Sequence, residues 1–187
     1  MKGSFKARDL AYIGLGAALL AVCAWVSIPL PPPLAPFTLQ TFAVCLVCAV
    51  YGWRLGLWTV AVYILLGAAG VPVFSGFRGG VGVLLGTTGG YIVGFLFTAL
   101  IVGLAADWFG RSVPVMLASM ALGILVCYAF GTAWFVIVYT RNTGAIGVLT
   151  ALSWCVFPYL LPDALKILAA SALARRVHSL AGKAEAA

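Results

Sequence analysis

The sequence predicts an all-α integral membrane protein of six transmembrane helices, and three observations carry that prediction. Of 187 residues, 64% are hydrophobic and 8% charged, and no polar tract is long enough for a soluble domain beside the membrane part. Apolar segments recur along the chain between turns rich in Gly and Pro. The basic residues gather on one side of those segments, as in a multi-pass protein. The whole chain, 1–187, therefore reads as one membrane domain.

The first span is expected near 10–28, after Lys2, Lys6 and Arg8. A basic start before an apolar run also suits a cleavable signal, but this run is longer than a typical signal core and leads into more membrane sequence, so it is expected to be retained. Within it, Gly14-x-x-x-Ala18 and Ala17-x-x-x-Ala21 form a small-residue face. Such a face lets another helix approach closely, either for internal packing or for docking of a partner subunit. Pro29 to Phe37 then forms a stiff extended loop suited to a lid. Thr38-Leu39-Gln40-Thr41 opens the second span, near 38–51. Gln40 there offers both a donor and an acceptor, for an amide-like ligand or for a plain helix–helix hydrogen bond.

The third span is expected near 55–69 and the fourth near 89–106. Between them, residues 76 to 94 hold eight of the chain's 22 glycines. Val81, Val83, Leu84 and Leu85 are too apolar for a solvated loop, so this segment is expected to dip back into the protein at membrane level, as does the loop between the first two spans. It lacks the Gly-Lys-Ser/Thr ending of a phosphate loop, which excludes ATP hydrolysis by this chain. Spans five and six are expected near 113–138 and 148–177, the last broken at 158–162 because Pro158 and Pro162 cannot continue a helix without loss of backbone bonds. Several spans fall short of the roughly 20 residues that cross a bilayer unaided, which suits compact helices with shielded loops.

With the amino terminus inside, Lys2, Lys6, Arg8, Arg54, Arg111, Arg175, Arg176 and Lys183 are internal, eight of the eleven cations. Arg78 and Arg141 face outward, so both termini are expected in the cytoplasm. This topology accounts for the net charge of +7 without a nucleic-acid partner. Cys45 and Cys48 form a C-x-x-C, but with no acid, His or second pair nearby they read as small packing residues. His178, beside Arg175 and Arg176, is not expected to act in catalysis or bind metal, and no cofactor is expected.

Chemistry concentrates in the last span. Asp163 and Lys166 are three apart and share one helical face, where each partly neutralises the other. Ionisable groups at membrane depth cost roughly 2.5–3.5 kcal/mol each and usually face a bundle interior or a substrate path. A structural pair locking two helices is the alternative. Arg78, inside the apolar glycine-rich segment, suits an arriving carboxylate because its planar fork makes two parallel hydrogen bonds; contact with a lipid phosphate is the other reading. Trp25, Trp134, Trp154 and Tyr91 cluster toward the outer half, where they form an interfacial belt or wall a pocket. A membrane-embedded enzyme using Asp163 is disfavoured, since no nucleophile and base stand in plausible register.

Several motifs together resemble the BioY family: Thr38-Leu39-Gln40, Tyr-Gly-x-Arg-x-Gly at 51–56, Tyr63, the glycine-rich run from Pro72 to Tyr91, and Pro162-Asp163 with Lys166. The likeness runs from about residue 10 to 175, and the glycine run is its specific part. BioY proteins are the biotin-capturing substrate components of energy-coupling-factor (ECF) transporters. The resemblance implies six helices in a bacterial cytoplasmic membrane, with biotin bound from outside. It implies Asp163 and Lys166 on the ureido ring, and a polar ligand contact from Arg78. Gln40 and Tyr91 complete the candidate site. The implied partners are a transmembrane coupling protein, facing Gly14, Ala17, Ala18 and Ala21 of the first helix, and two ATPases; self-association and a substrate component for a different vitamin are the alternatives. Two positions depart from the family pattern: Thr87 stands where proline is usual, and Ile92 where some members carry an arginine, which leaves Arg78 as the candidate for the carboxylate.

Overall fold

The computed structural model describes residues 6–31 and 34–185, with side chains as far as Leu180; Lys2, Pro32, Pro33 and the Lys183 side chain lie outside that range. The described residues form seven helices and one two-stranded ribbon. Helix α1 (Ala7–Trp25) ends three residues before the expected boundary. The chain then runs extended through β1 (Ser27–Ile28), which pairs antiparallel with β2 (Phe37–Thr38), Ser27 opposite Thr38. The described prolines between the strands, Pro29, Pro31 and Pro36, thus stand outside the ladder, where residues without an N–H leave no bond unmade.

The four small residues of α1 do not share a face. Ala17 and Ala21 are buried, whereas Gly14 and Ala18 are exposed. Positions three apart on a helix are offset by about 60°, so the two small-residue pairs form separate stripes. One packs inward together with Gly16, which lies against Thr59 and Tyr51, and the other faces away from the bundle.

Helix α2 (Gln40–Ala68) joins the expected second and third spans, but it is not a straight rod. The Gln40 amide donates to the Tyr63 hydroxyl at 2.6 Å. In a continuous helix those residues would lie about 34 Å apart. The reversal occurs at Gly52, with φ 77° and ψ −177°, a region essentially reserved for glycine. A Cβ there would also run into the Asp107 carboxylate. The two arms, 40–51 and 53–68, pack directly, with Gly56 against Cys48.

The turn is clamped by an acid–base pair. Asp107 accepts from the Trp53 amide at 3.0 Å, while Arg111 donates to the carbonyls of Ala49 at 2.8 Å and Val50 at 3.3 Å. These are backbone groups that helix ends leave without intrahelical partners. The pair itself closes at 3.5 Å.

The glycine-rich segment contains the short helix α3 (Val81–Leu85) and leads into α4 (Gly89–Trp108). Val83 and Leu84 turn inward, but Val81 and Leu85 are exposed, so the segment is amphipathic rather than wholly buried. Gly90 has no side chain because the Trp134 ring occupies that space, and the Trp134 indole donates to the Gly86 carbonyl at 3.0 Å. Helix α5 (Val113–Asn142) supplies Trp134. After α6 (Val148–Cys155) the helix is interrupted at Val156, and α7 (Phe157–Glu185) follows. The break therefore precedes the expected 158–162. Pro158 sits in the first turn of α7, where no N–H is needed, and Pro162 lies inside the helix at the loss of one bond.

By length and composition, five helices can cross a membrane: α1, α2, α4, α5 and residues 157–180 of α7. That figure treats the folded α2 as one unit. Its arms measure about 18 and 24 Å at 1.5 Å per residue.

Candidate functional site

A cavity opens between the first arm of α2, the amino-terminal halves of α4 and α7, the middle of α5, and the two loops that precede α2 and α4. Its walls are mostly apolar, with Val44, Ile92, Phe95 and Ile124 among them. Polar groups converge at one wall, the arrangement typical of a small-molecule site.

Asp163 is the centre of that wall. Its side chain is buried, and three elements supply hydrogen bonds to it. Lys166 Nζ donates to Oδ1 at 2.7 Å, Thr41 Oγ1 donates to the same oxygen at 3.0 Å, and the Tyr128 hydroxyl donates to Oδ2 at 2.5 Å. Thr41 comes from α2, Tyr128 from α5, and the ion pair from α7. All four residues line the cavity. The placement reflects local sequence, since the break at Val156 restarts the helix and the i, i+3 spacing aims both charges inward.

Of the other candidate residues, Gln40 and Tyr91 also line the cavity. Gln40 is buried, and its bond to Tyr63 closes the α2 hairpin, so the helix–helix alternative holds for its amide nitrogen. Tyr91 pairs its hydroxyl with Thr132 at 2.9 Å. Arg78 does not join them. It is exposed, its Nε donates to the Ser75 carbonyl at 3.1 Å, and a bridge between Phe74 and Arg78 closes the turn that carries it. Ser75 lines the cavity, which puts Arg78 at the rim and its guanidinium outside the lining.

Two loops reach over the site and both are tethered. The Tyr159 hydroxyl donates to the Ala35 carbonyl, and the Tyr159 ring packs on Phe37 at 4.7 Å. In the glycine-rich loop, the carbonyls of Pro72 and Val73 accept from Trp25 Nε1 at 2.8 Å and the Tyr63 hydroxyl at 3.1 Å. Trp25 also stacks on Phe77, centroids 5.1 Å apart. Phe77 has φ 55°, unfavourable for a residue with a Cβ, and this stack helps hold it there. Trp25 and Trp134 thus fasten the loop, and neither is among the lining residues. Trp154 packs against Tyr139 on α5.

Thr41 and Tyr128 escaped sequence reasoning as site residues. Thr41 lies beside Gln40 and carries its own weak signal as a polar residue at a helix entrance. Tyr128 sits in an aromatic stretch of α5, where nothing in the sequence sets its hydroxyl apart. Cys127 and Cys155 line the cavity as well.

The fold and motifs have close parallels. The BioY family matches residues 1–183. The biotin transporter BioY of Thermotoga maritima is 40% identical over 173 residues, which is 92% of this chain and 97% of that protein. The probable biotin transporter BioY of Pyrococcus horikoshii is 37% identical, over 92% of this chain and 98% of its own length. The solved S-component for biotin from an ECF-type ABC transporter superposes with a TM-score of 0.82 at 23% identity, over 96% of this chain and 95% of that one, and establishes likeness of fold. With nearly its full length matched and whole-length relatives well above the level at which a common fold is secure, the chain belongs to the BioY family.

Proposed function

We propose that this protein captures biotin at the outer face of a bacterial cytoplasmic membrane and serves as the substrate-binding component of an ECF transporter. The observation that carries the reading is the buried Asp163–Lys166 pair opening onto an apolar cavity. Biotin has N–H donors beside a carbonyl, an apolar fused ring with an aliphatic chain, and a carboxylate. Asp163 accepts the N–H and Lys166 donates to the carbonyl, while Tyr91, Ile92 and Phe95 enclose the ring and chain. Gln40 adds a polar contact. The carboxylate is directed toward the rim, where Arg78 meets it after turning inward from its present exposed position.

The same reading takes the two arms of α2 as separate spans, giving six, with both termini inside and residues 1–187 as one membrane unit. Its support is the distribution of charge: Lys6, Arg8, Arg54, Arg111, Arg175 and Arg176 fall at the start of α1, the Gly52 turn, the α4–α5 turn and the end of α7. The exposed Gly14 and Ala18 stripe of α1 faces a transmembrane coupling protein, which in turn bears two ATPases. Ala17 and Ala21 contribute to that contact only by shaping the helix from within.

The test is equilibrium binding of labelled biotin to the purified protein, with unlabelled biotin, thiamine and riboflavin as competitors. Displacement by biotin alone is expected. Displacement by thiamine or riboflavin at comparable concentration would transfer the assignment to another vitamin, and absence of any binding would overturn the capture role.

A further inference from the structure

We infer that the Tyr128 hydroxyl is a specificity-determining group, which makes the Asp163 carboxylate accept one N–H of a neutral urea-like edge and reject a cationic, two-pronged donor. The inference rests on the biotin-binding reading above and concerns how that site chooses its ligand.

A carboxylate has about four lone-pair positions. Among the described residues, Lys166 and Thr41 take two at Oδ1, and Tyr128 takes one at Oδ2. One acceptor position remains, on Oδ2, and it belongs to a group on the cavity wall. Lys166 has three N–H groups and directs one to Asp163, so donors remain beside that vacancy. The wall therefore presents a single acceptor next to a cationic donor. An N–H adjacent to a neutral carbonyl matches it. A guanidinium does not, because its planar fork seeks two free carboxylate positions and its charge would meet the Lys166 ammonium.

Tyr128 has one proton, and that proton points to Asp163 at 2.5 Å. Removing the hydroxyl while keeping the ring frees the second position on Oδ2. It also loosens the carboxylate, since Tyr128 is its tie to α5. The two effects act in opposite directions on the two classes of ligand. A neutral urea loses a well-oriented acceptor, and a guanidinium gains a second position on Oδ2 that its two N–H groups can share.

The probes are biotin and 2-iminobiotin, in which a guanidinium replaces the urea. Wild-type protein is expected to prefer biotin. In Tyr128→Phe, biotin affinity is expected to fall roughly 10-fold, the scale of a lost hydrogen bond to a charged group. Affinity for 2-iminobiotin is expected to hold or rise, so that the preference ratio falls by about 10-fold or more. Equal losses for both ligands would reduce Tyr128 to a packing role and overturn the inference, as would an unchanged ratio. Thr41→Val frees a position on Oδ1 beside the one on Oδ2 and is expected to lower the ratio as well, with Thr41→Ser restoring it. If Tyr128→Phe fails to fold, the wild-type protein decides: affinity for protonated 2-iminobiotin equal to that for biotin overturns the inference. Failure of wild-type protein to bind biotin would instead overturn the proposed function, so the two failures are separable.

Discussion

Two acid–base pairs sit at opposite ends of this bundle and perform different work with nearly the same chemistry. Asp107 and Arg111 are an i, i+4 pair at the α4–α5 turn, 3.5 Å apart, and their remaining hydrogen bonds go to backbone groups at 49, 50 and 53. Asp163 and Lys166 are an i, i+3 pair, 2.7 Å apart, and the other partners of Asp163 are side chains from two further helices. The Asp107 side chain retains 35% of its exposure and the Asp163 side chain 6%. The first pair is a clamp, because backbone groups at helix ends fill its fork. The second borders a cavity with donor and acceptor capacity left over. The difference lies in what surrounds each pair, and arginine at one and lysine at the other fits it. A planar fork spans two carbonyls, whereas an ammonium acts as a point charge that a ligand can share.

Breaking the second pair should have the largest effect on binding. Asp163→Asn keeps the shape but removes the charged acceptor, and biotin affinity measured by titration is expected to fall between about 10-fold and 150-fold, from a charge-assisted hydrogen bond of about 1.5–3 kcal/mol. Retained affinity would make the pair structural, like its counterpart.

At the clamp, the expected effect moves to stability. Gly52→Ala places a Cβ against the Asp107 carboxylate in a backbone region closed to other residues, at a cost of roughly 1–3 kcal/mol from strain alone. The thermal midpoint in detergent should drop by several degrees, while the biotin affinity of the folded fraction stays within about 2-fold of wild type. A selective loss of affinity without loss of stability would contradict the division between the two ends.

Trp25→Phe retains the stack on Phe77 but removes the bond to the Pro72 carbonyl, worth about 0.5–1.5 kcal/mol. Faster biotin dissociation by a few-fold is expected in stopped-flow traces, with association little changed. An unaltered dissociation rate would show that the indole bond does not hold the loop over the ligand.

The smallest change is expected for Arg78→Ala. An exposed cation meeting a carboxylate contributes about 0.2–1 kcal/mol, so affinity should weaken by no more than about 5-fold, and the deficit should shrink as salt is raised. A loss as large as that of Asp163→Asn would mean that the guanidinium enters the cavity fully when biotin binds.

Much of the architecture is legible in the sequence. Hydropathy located the helices, because backbone in a bilayer must satisfy its own hydrogen bonds and long apolar runs can do so only as helices. The Tyr-Gly-x-Arg-x-Gly turn pointed to a reversal at 51–56, where Gly52 has the backbone angles of a glycine-only region and Gly56 lies against Cys48. The i, i+3 spacing of Asp163 and Lys166 put two charges on one face, since helical periodicity is a local property. The sequence stopped short at the helix interruption, which fell at Val156 because a proline is tolerated in a first turn, and two prolines do not say which of them opens the helix.

What the sequence determined by itself was therefore the class of protein, the membrane character of its helices, and the presence of one acid and one base on one face of the last long helix. Only tertiary structure decided that Thr41 and Tyr128 complete the carboxylate's shell, that Arg78 stays at the rim, and that Gly14 and Ala18 face away from Ala17 and Ala21. Those outcomes depend on the rotation of each helix about its axis and on partners as far apart in the chain as Thr41 and Asp163, 122 positions away. In a sequence this uniformly apolar, no pattern of polar and apolar residues marks which face of a helix turns inward, and packing of small residues against rings settles it instead.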